Sequence, residues 1–445
     1  MRAPTVTFAT LGCRLNQVDS QEIQAALEAR GFRTVAPDEP ADVVVVNTCT
    51  VTARAELSDR RAIHRAVRRA PRSRVVVTGC WAQTDSDRVA GLPGVDLVVG
   101  NADKARLPEL LQRLLDGAAV ARPWQQVSDV REQRILPPAP LATGGRSRAF
   151  VKIQEGCQHR CAFCIVPLAR GLSRSRAPEV VLDQVRRLVA AGHLEIVLTG
   201  IDVGHYGADL SPRTTLATLL RSVVDLPGHH RVRLSSILPA YFSPELMEVV
   251  GGSKHIAPHL HIPLQSGSDR VLRRMRRPYS VAMYRGLVER LMGTIPGLGL
   301  GSDVIAGFPG ETDDDFARTA ALVAELPFTY LHVFPYSERR GTEAMKLDGG
   351  LPPAVVETRS RRLRRLAFDK SLAFRQSLIG TVHEAFVLER RERSGGGLVA
   401  LTGNYVEVSV DGPEALKRQL VHVRVTGADG ERTVGTVLPS HGGAE

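Results

Sequence analysis

Six cysteines are the residues of this sequence best suited to chemistry: Cys13, Cys49, Cys80, Cys157, Cys161 and Cys164. The last three crowd into one run, IQEGCQHRCAFCIVP, with the spacing C-x3-C-x2-C. Thiolates this close suit zinc or an iron–sulfur cluster. A structural zinc would want a fourth ligand. His159 lies inside the loop, but no second Cys-x2-Cys or His pair accompanies it. Four irons held by three cysteines leave one iron open to a small chelating cofactor. No Ser/His/Asp or paired-carboxylate constellation stands out, and no side chain is assigned a catalytic role.

These residues need elements to position them. The first three cysteines close the words LGC, NTC and TGC, each just after a short apolar run: Thr5–Thr10, Asp42–Asn47 and Arg74–Thr78. Helix-like stretches, Ser20–Arg30 and Ala55–Arg69, separate those runs. Strand, helix, strand, helix, strand predicts a parallel α/β domain. Loops at the carboxyl ends of its strands emerge on one edge, where such folds bind ligands. Cys13, Cys49 and Cys80 are therefore expected to converge in space.

The rest of the chain continues the rhythm. A segment rich in Pro, Gly and charge, Ser128–Arg148, reads as a linker. Six candidate strands follow: Phe150–Gln154, Glu195–Thr199, Arg231–Ser235, His259–Pro263, Gly301–Ala306 and Tyr330–Phe334. Amphipathic stretches such as Pro178–Ala191 and Asp314–Leu326 lie between them. This predicts a barrel or part of one, with the second cysteine triad at its strand-end mouth. An arginine-rich helix is expected over Pro353–Leu378. Gly-punctuated short strands over Gly380–Leu438 fit a small β-barrel of a kind that often binds nucleic acid.

Composition bounds the class. The 445 residues suggest two to four domains, and a 43% apolar share allows large cores. No stretch of about 18 apolar residues occurs, so no membrane span is expected. MRAPTVTFATLGC lacks a secretory pattern, so a cytosolic protein is expected, in which six cysteines are not expected to be a disulfide framework. The net charge is +11, and lysine supplies only six of the 58 basic residues. That excess favours a polyanionic partner such as nucleic acid.

C-x3-C-x2-C after a first barrel strand resembles the signature of radical S-adenosylmethionine (SAM) enzymes. The resemblance implies a [4Fe–4S] cluster on Cys157, Cys161 and Cys164, with SAM on its open iron and cleavage to a 5′-deoxyadenosyl radical. It also implies cofactor contacts at Gly200, in Thr199-Gly200-Ile201, and at Gly307, in IAGFPG. With three strand-end cysteines before the barrel and a small β-barrel after it, the whole chain resembles the methylthiotransferases. Cys13, Cys49 and Cys80 would then hold a second [4Fe–4S] cluster. The words TLGCRLNQVDS, NTCTVT, IQEGCQHRCAFCIVPLARG, LTGIDVGHYG and HIPLQSGS look like one branch, which methylthiolates C2 of N6-threonylcarbamoyladenosine next to the anticodon of tRNA. Val18, Asp19 and Leu168 depart from that branch's usual residues. Methylthiolation of isopentenyladenosine or of a ribosomal-protein aspartate is the alternative chemistry. A non-catalytic, metal-containing RNA-binding protein is the alternative class.

The expected organisation follows. Residues 1–127 form the α/β domain and 128–148 the linker. Residues 149–375 form a partial (β/α)6 barrel with the arginine-rich connecting helix, and 376–445 a TRAM-like all-β barrel. Expected partners are a tRNA anticodon stem-loop, a flavodoxin- or ferredoxin-like electron donor and a sulfur source. Expected RNA contacts are Arg359, Arg361, Arg362, Arg364, Arg365 and Tyr405. Arg170 and Arg174 are read either as meeting substrate phosphate or carboxylate, or as forming local salt bridges.

Overall fold

Valine-rich runs build the first sheet. The structure, a computed structural model, describes residues 2–117, 123–138, 140, 148–392 and 395–439. Strands β1 (Thr5–Thr10), β2 (Arg33–Thr34), β3 (Val43–Thr48), β4 (Arg74–Gly79), β5 (Leu97–Val99) and β6 (Trp124–Gln126) lie in the order β2-β1-β3-β4-β5-β6. Every pairing is parallel. The valines of β3 and β4 are buried, as strands covered on both faces require. Ile23, Leu27 and Leu110 pack on one face, and Ile63, Trp81 and Val89 on the other. The order reverses at β1 and β3, because the chain steps outward to β2 before crossing back. Such a reversal opens a crevice beyond the carboxyl ends of the strands.

The chain divides into two compact units. The first comprises Met1–Ala142, Lys152–Arg176 and Ser337–Lys346; the second comprises Thr143–Val151, Ala177–Tyr336 and Leu347–Glu445. This cuts across the expected boundaries, because the C-x3-C-x2-C loop groups with the N-terminal sheet. Buried ion pairs described below give the physical reason. The expected linker over 128–148 lies partly outside the described residues. Within its described part, Val130 and Leu136 are buried.

The second unit holds most of the parallel barrel strands. β7 (Ala149–Lys152) begins in it, and a short antiparallel pair, β8 (Gln154–Glu155) with β9 (Arg174–Ser175), belongs to the first unit. Then come β10 (Glu195–Thr199), β11 (Arg231–Leu234), β12 (His259–His261), β13 (Gly299–Ala306) and β14 (Tyr330–Pro335). They form two three-stranded sheets, β11-β10-β7 and β12-β13-β14, linked by an isolated parallel bridge between Val232 and Ile256. Glu195 lies among Arg231, Arg233 and Arg148. Burial alone would raise its pKa; Arg233, Arg231 and Arg148 bring it down to about 2. A helix over Pro353–Ser377 leads to a closed barrel of β15 (Val382–Arg391), β16 (Leu398–Thr402), β17 (Glu407–Val410), β18 (Leu420–Ala428) and β19 (Thr433–Val437). Arg233 donates to the carbonyls of Thr402 and Gly403, so the Glu195 cluster also fixes this small barrel.

Candidate metal centres

The first triad gathers at the sheet's switch point. Cys49 follows β3 directly, Cys80 follows β4 and opens a short helix, and Cys13 caps the helix Arg14–Glu28 after β1. Gly12 has φ +90°, and a Cβ there would fall 2.8 Å from Cys49 Sγ. The close approach at Cys49 thus requires glycine. Burial first, then the neighbouring Cys80 and Cys13 thiols, push Cys49 up to about 12. A buried thiol beside two others belongs to a donor set that a metal cation would satisfy. The residues therefore fit a cluster.

Polar groups surround this triad. Asn101 Nδ2 lies 3.8 Å from Cys80 Sγ, and Asn16 Oδ1 lies 4.0 Å from it. Arg170 Nη2 donates to that same Asn16 oxygen at 2.5 Å and to Asp19 at 2.9 Å. Asn101 also donates to the carbonyl of Ala169 at 2.6 Å. The backbone N–H of Cys49 is bound at 2.8 Å by Asp59, whose carboxyl burial pushes up to about 7.

The second triad lies in a turn. Cys164 N–H bonds Cys161 O, and Cys157 N–H bonds Gly171 O, both at 3.0 Å. All three cysteines are partly exposed, so a small cofactor can reach them. Three thiols in one accessible turn fit a cluster with an open metal position. The following helix, Val166–Arg170, carries Arg170 back to the surroundings of the first triad. Burial opposes that cation's charge, but the Cys80 and Cys13 thiols, Asp19 and Glu155 hold its pKa well above the ordinary arginine value.

Ion pairs weld the loop to the sheet. Asp19 takes Lys104, Lys152 at 2.7 Å and Arg170 at 2.9 Å. Burial would raise Asp19, but these cations hold it well below the usual carboxylate range. Glu22 takes Lys152 at 2.8 Å and Arg176 at 3.0 Å, and Glu155 takes Arg170. Asp19, a departure from the branch pattern, is thus the hub of this network. Arg170 and Arg174 are both buried, and each makes local hydrogen bonds, Arg174 to the carbonyl of Arg170.

The remaining predicted site residues lie in the second unit. Gly200 follows β10 and Gly307 follows β13, both at carboxyl strand ends. Gly307 has φ +79°, and a Cβ would press within 2.6 Å of Val356. Its N–H donates to Glu311 Oε2 at 2.9 Å, and Arg359 donates to that oxygen at 2.6 Å and to Asp313 at 2.7 Å. Arg359 is buried, which corrects its expected place in an exposed RNA-binding run. Two carboxylates hold it, and it braces the Gly307 turn. Tyr405 is half-buried and packs within its unit. Its ring stacks on His259 at 4.3 Å and lies under Arg233 at 5.1 Å. Arg361, Arg362, Arg364 and Arg365 are exposed. Among the described residues, the motifs also do not find the group His261, Asp303 and His332, whose ligand atoms lie within 4.8 Å of one another. Its signal was the alternation along β12 to β14, which turns these residues to the same side.

Two family models match the chain. One, described as uncharacterized protein family UPF0004, covers residues 5–100; the other, the radical SAM superfamily, covers residues 151–323. The threonylcarbamoyladenosine tRNA methylthiotransferase MtaB of Bacillus subtilis is 38% identical over 95% of this chain and 93% of its own. The protein of the same name from Aquifex aeolicus is 37% identical over 92% and 97%. A tRNA-2-methylthio-N(6)-dimethylallyladenosine synthase from Acidothermus cellulolyticus is 39% identical over 96% and 84%. Among solved structures, the radical SAM methyltransferase TsrM of Kitasatospora setae shares the fold. Its TM-score is 0.56 at 18% identity, over 75% of each chain. Strand-end cysteines at a switch point, a C-x3-C-x2-C loop and these near full-length likenesses agree: the chain belongs to the radical SAM methylthiotransferases, among those that modify tRNA.

Proposed function

We propose that this protein joins a methylthio group to C2 of N6-threonylcarbamoyladenosine beside the anticodon of tRNA. The convergence of Cys13, Cys49 and Cys80 at the sheet's switch point carries the reading. The chain's match to both threonylcarbamoyladenosine enzymes over more than nine-tenths of their length supports the substrate. Cys157, Cys161 and Cys164 would hold a [4Fe–4S] cluster with SAM, and the other triad a second cluster. When bound, these groups supply the radical reactivity that an unactivated aromatic C–H needs and acid–base side chains do not provide.

The chain's own residues orient and exclude. Arg170, Asn16 and Asn101 hold the first triad's surroundings. Arg359, through Glu311, holds the Gly307 turn for a cofactor contact. Gly200 supplies the other expected cofactor contact. Arg361, Arg362, Arg364 and Arg365 are candidate phosphate contacts. A flavodoxin- or ferredoxin-like electron donor and a sulfur source complete the reaction in the cytoplasm. Nucleoside mass spectrometry of tRNA from a deletion strain tests the reading. Loss of the 2-methylthio threonylcarbamoyl nucleoside is expected. Loss of the isopentenyl counterpart instead would move the protein to the alternative branch, and an unchanged tRNA profile would overturn both.

A further inference from the structure

An arginine stripe in the first unit has no structural partner among the described residues. The helix Ala53–Arg69 begins just after Cys49 and carries Arg54, Arg61, Arg65, Arg68 and Arg69, with Arg72 just past its end. Arg54, Arg61, Arg65 and Arg68 are spaced by seven, four and three residues, so they share one face. Ile63 and Asp59 are buried on the opposite face. All six arginines are exposed. Among the described residues none of their side chains has an ion-pair or hydrogen-bond partner. The helix's own acids are committed elsewhere: Glu56 to Arg339 at 2.9 Å, and Asp59 to the Cys49 N–H.

Folding gains little from this arrangement, since only Arg68 and Arg69, in the last turn, suit the helix dipole. Arg61 and Arg65, Arg65 and Arg68, and Arg65 and Arg69 are like charges at i, i+4 or i, i+3, which destabilise a helix. Arg54 stands in the first turn, where the helix dipole disfavours a cation. An ordinary solvated face would mix signs. The stripe spans about 22 Å from Arg54 to Arg69 at the helical rise per residue. Guanidinium groups bind phosphate through a planar fork. Arg65, Arg69 and Arg72 also line a cleft of about 750 Å³, together with Phe8, Ala9 and Val44 and with two acids, Asp38 and Glu39. At the cysteine end of the helix, Val51 and Leu57 are about half exposed. Charge beside apolar surface is what an RNA loop with unstacked bases requires.

We infer that the helix Ala53–Arg69 is an RNA-backbone contact, along which the phosphates of the tRNA anticodon stem-loop run toward the first cysteine triad. This rests on the tRNA reading above and adds a surface that the motifs of the sequence do not assign. The test compares reconstituted holoenzyme with its Arg61→Gln, Arg65→Gln, Arg68→Gln, Arg72→Gln variant. Fluorescence anisotropy would measure binding of a labelled anticodon stem-loop at several salt concentrations. Weaker binding by about tenfold or more is expected, with a salt slope reduced by about 3. RNA-independent SAM cleavage should not change, and the matching four-lysine variant should recover most of the slope. Unchanged affinity and slope would overturn the inference. So would unchanged RNA binding with slower reduction by an acidic electron-carrier protein, which would assign the stripe to that partner. If the wild-type holoenzyme itself fails to bind the stem-loop, the tRNA reading fails instead.

Discussion

Two arginine-rich helices, Ala53–Arg69 and Pro353–Ser377, look alike as sequence and differ in what their charges touch. In the second helix, Arg359 is buried on Glu311 and Asp313. Arg361 and Arg364 approach Glu357, and Arg365 pairs with Asp369 at 3.1 Å. Much of that run is spent inside its own unit. The first helix and the turn after it leave six arginines unpaired among the described residues, with the helix's acids turned away. A run of cations is therefore a weak sign of a polyanion site until its carboxylates are counted, and the unpaired face is the better candidate.

Breaking the paired side should cost most. Arg359→Ala strands the buried Glu311 carboxylate and should destabilise the protein by about 3–5 kcal/mol. SAM affinity should fall as well, because Glu311 holds the Gly307 N–H. Thermal unfolding and equilibrium SAM binding read the two effects. Unaltered SAM affinity in a folded variant would remove Arg359 from the cofactor turn.

Acid should next separate buried pairs from exposed charge. Glu195 has a folded pKa of about 2 against about 4.3 unfolded. A depressed carboxylate stabilises above its unfolded pKa and loses that contribution as pH falls through its folded pKa. About 3 kcal/mol should therefore disappear between roughly pH 5 and pH 2. Glu195→Gln should flatten that part of the stability–pH curve, as urea unfolding at stepped pH would record.

The smallest stability effects belong to the exposed arginines, and there the two helices should diverge in sign. Arg361→Gln and Arg365→Gln remove surface pairs and should lower stability by at most about 1 kcal/mol. The four-glutamine variant of the first helix removes like-charge repulsion together with one favourable last-turn cation, Arg68. Its stability should hold within about 0.5 kcal/mol or rise slightly. A clear loss would mean that the stripe has an intramolecular partner.

Much of the site was legible because strand ends are legible. Cys13, Cys49 and Cys80 each follow a β-branched run, and a parallel sheet must bring such ends to one edge. C-x3-C-x2-C is a local spacing and needs no fold to be seen. What stayed hidden depends on contacts between distant segments. Asp19 reads as a departure from a family word until Lys104, Lys152 and Arg170 close around it. Arg359 reads as part of an exposed run because its carboxylates lie more than 40 residues earlier. β2, β5 and β6 are two or three residues long, too short to show a period. Tyr405 looks like a free aromatic in a β-barrel loop, and only the fold sets it on His259.

The most direct measurement is nucleoside mass spectrometry of a reconstituted reaction with SAM, a reductant and a stem-loop carrying N6-threonylcarbamoyladenosine. The wild-type protein should produce the 2-methylthio nucleoside. Cys49→Ala should still cleave SAM and produce none, while Cys157→Ala should do neither. Methylthiolated product from the Cys49→Ala protein at the wild-type rate would contradict a role for the strand-end triad in methylthio transfer.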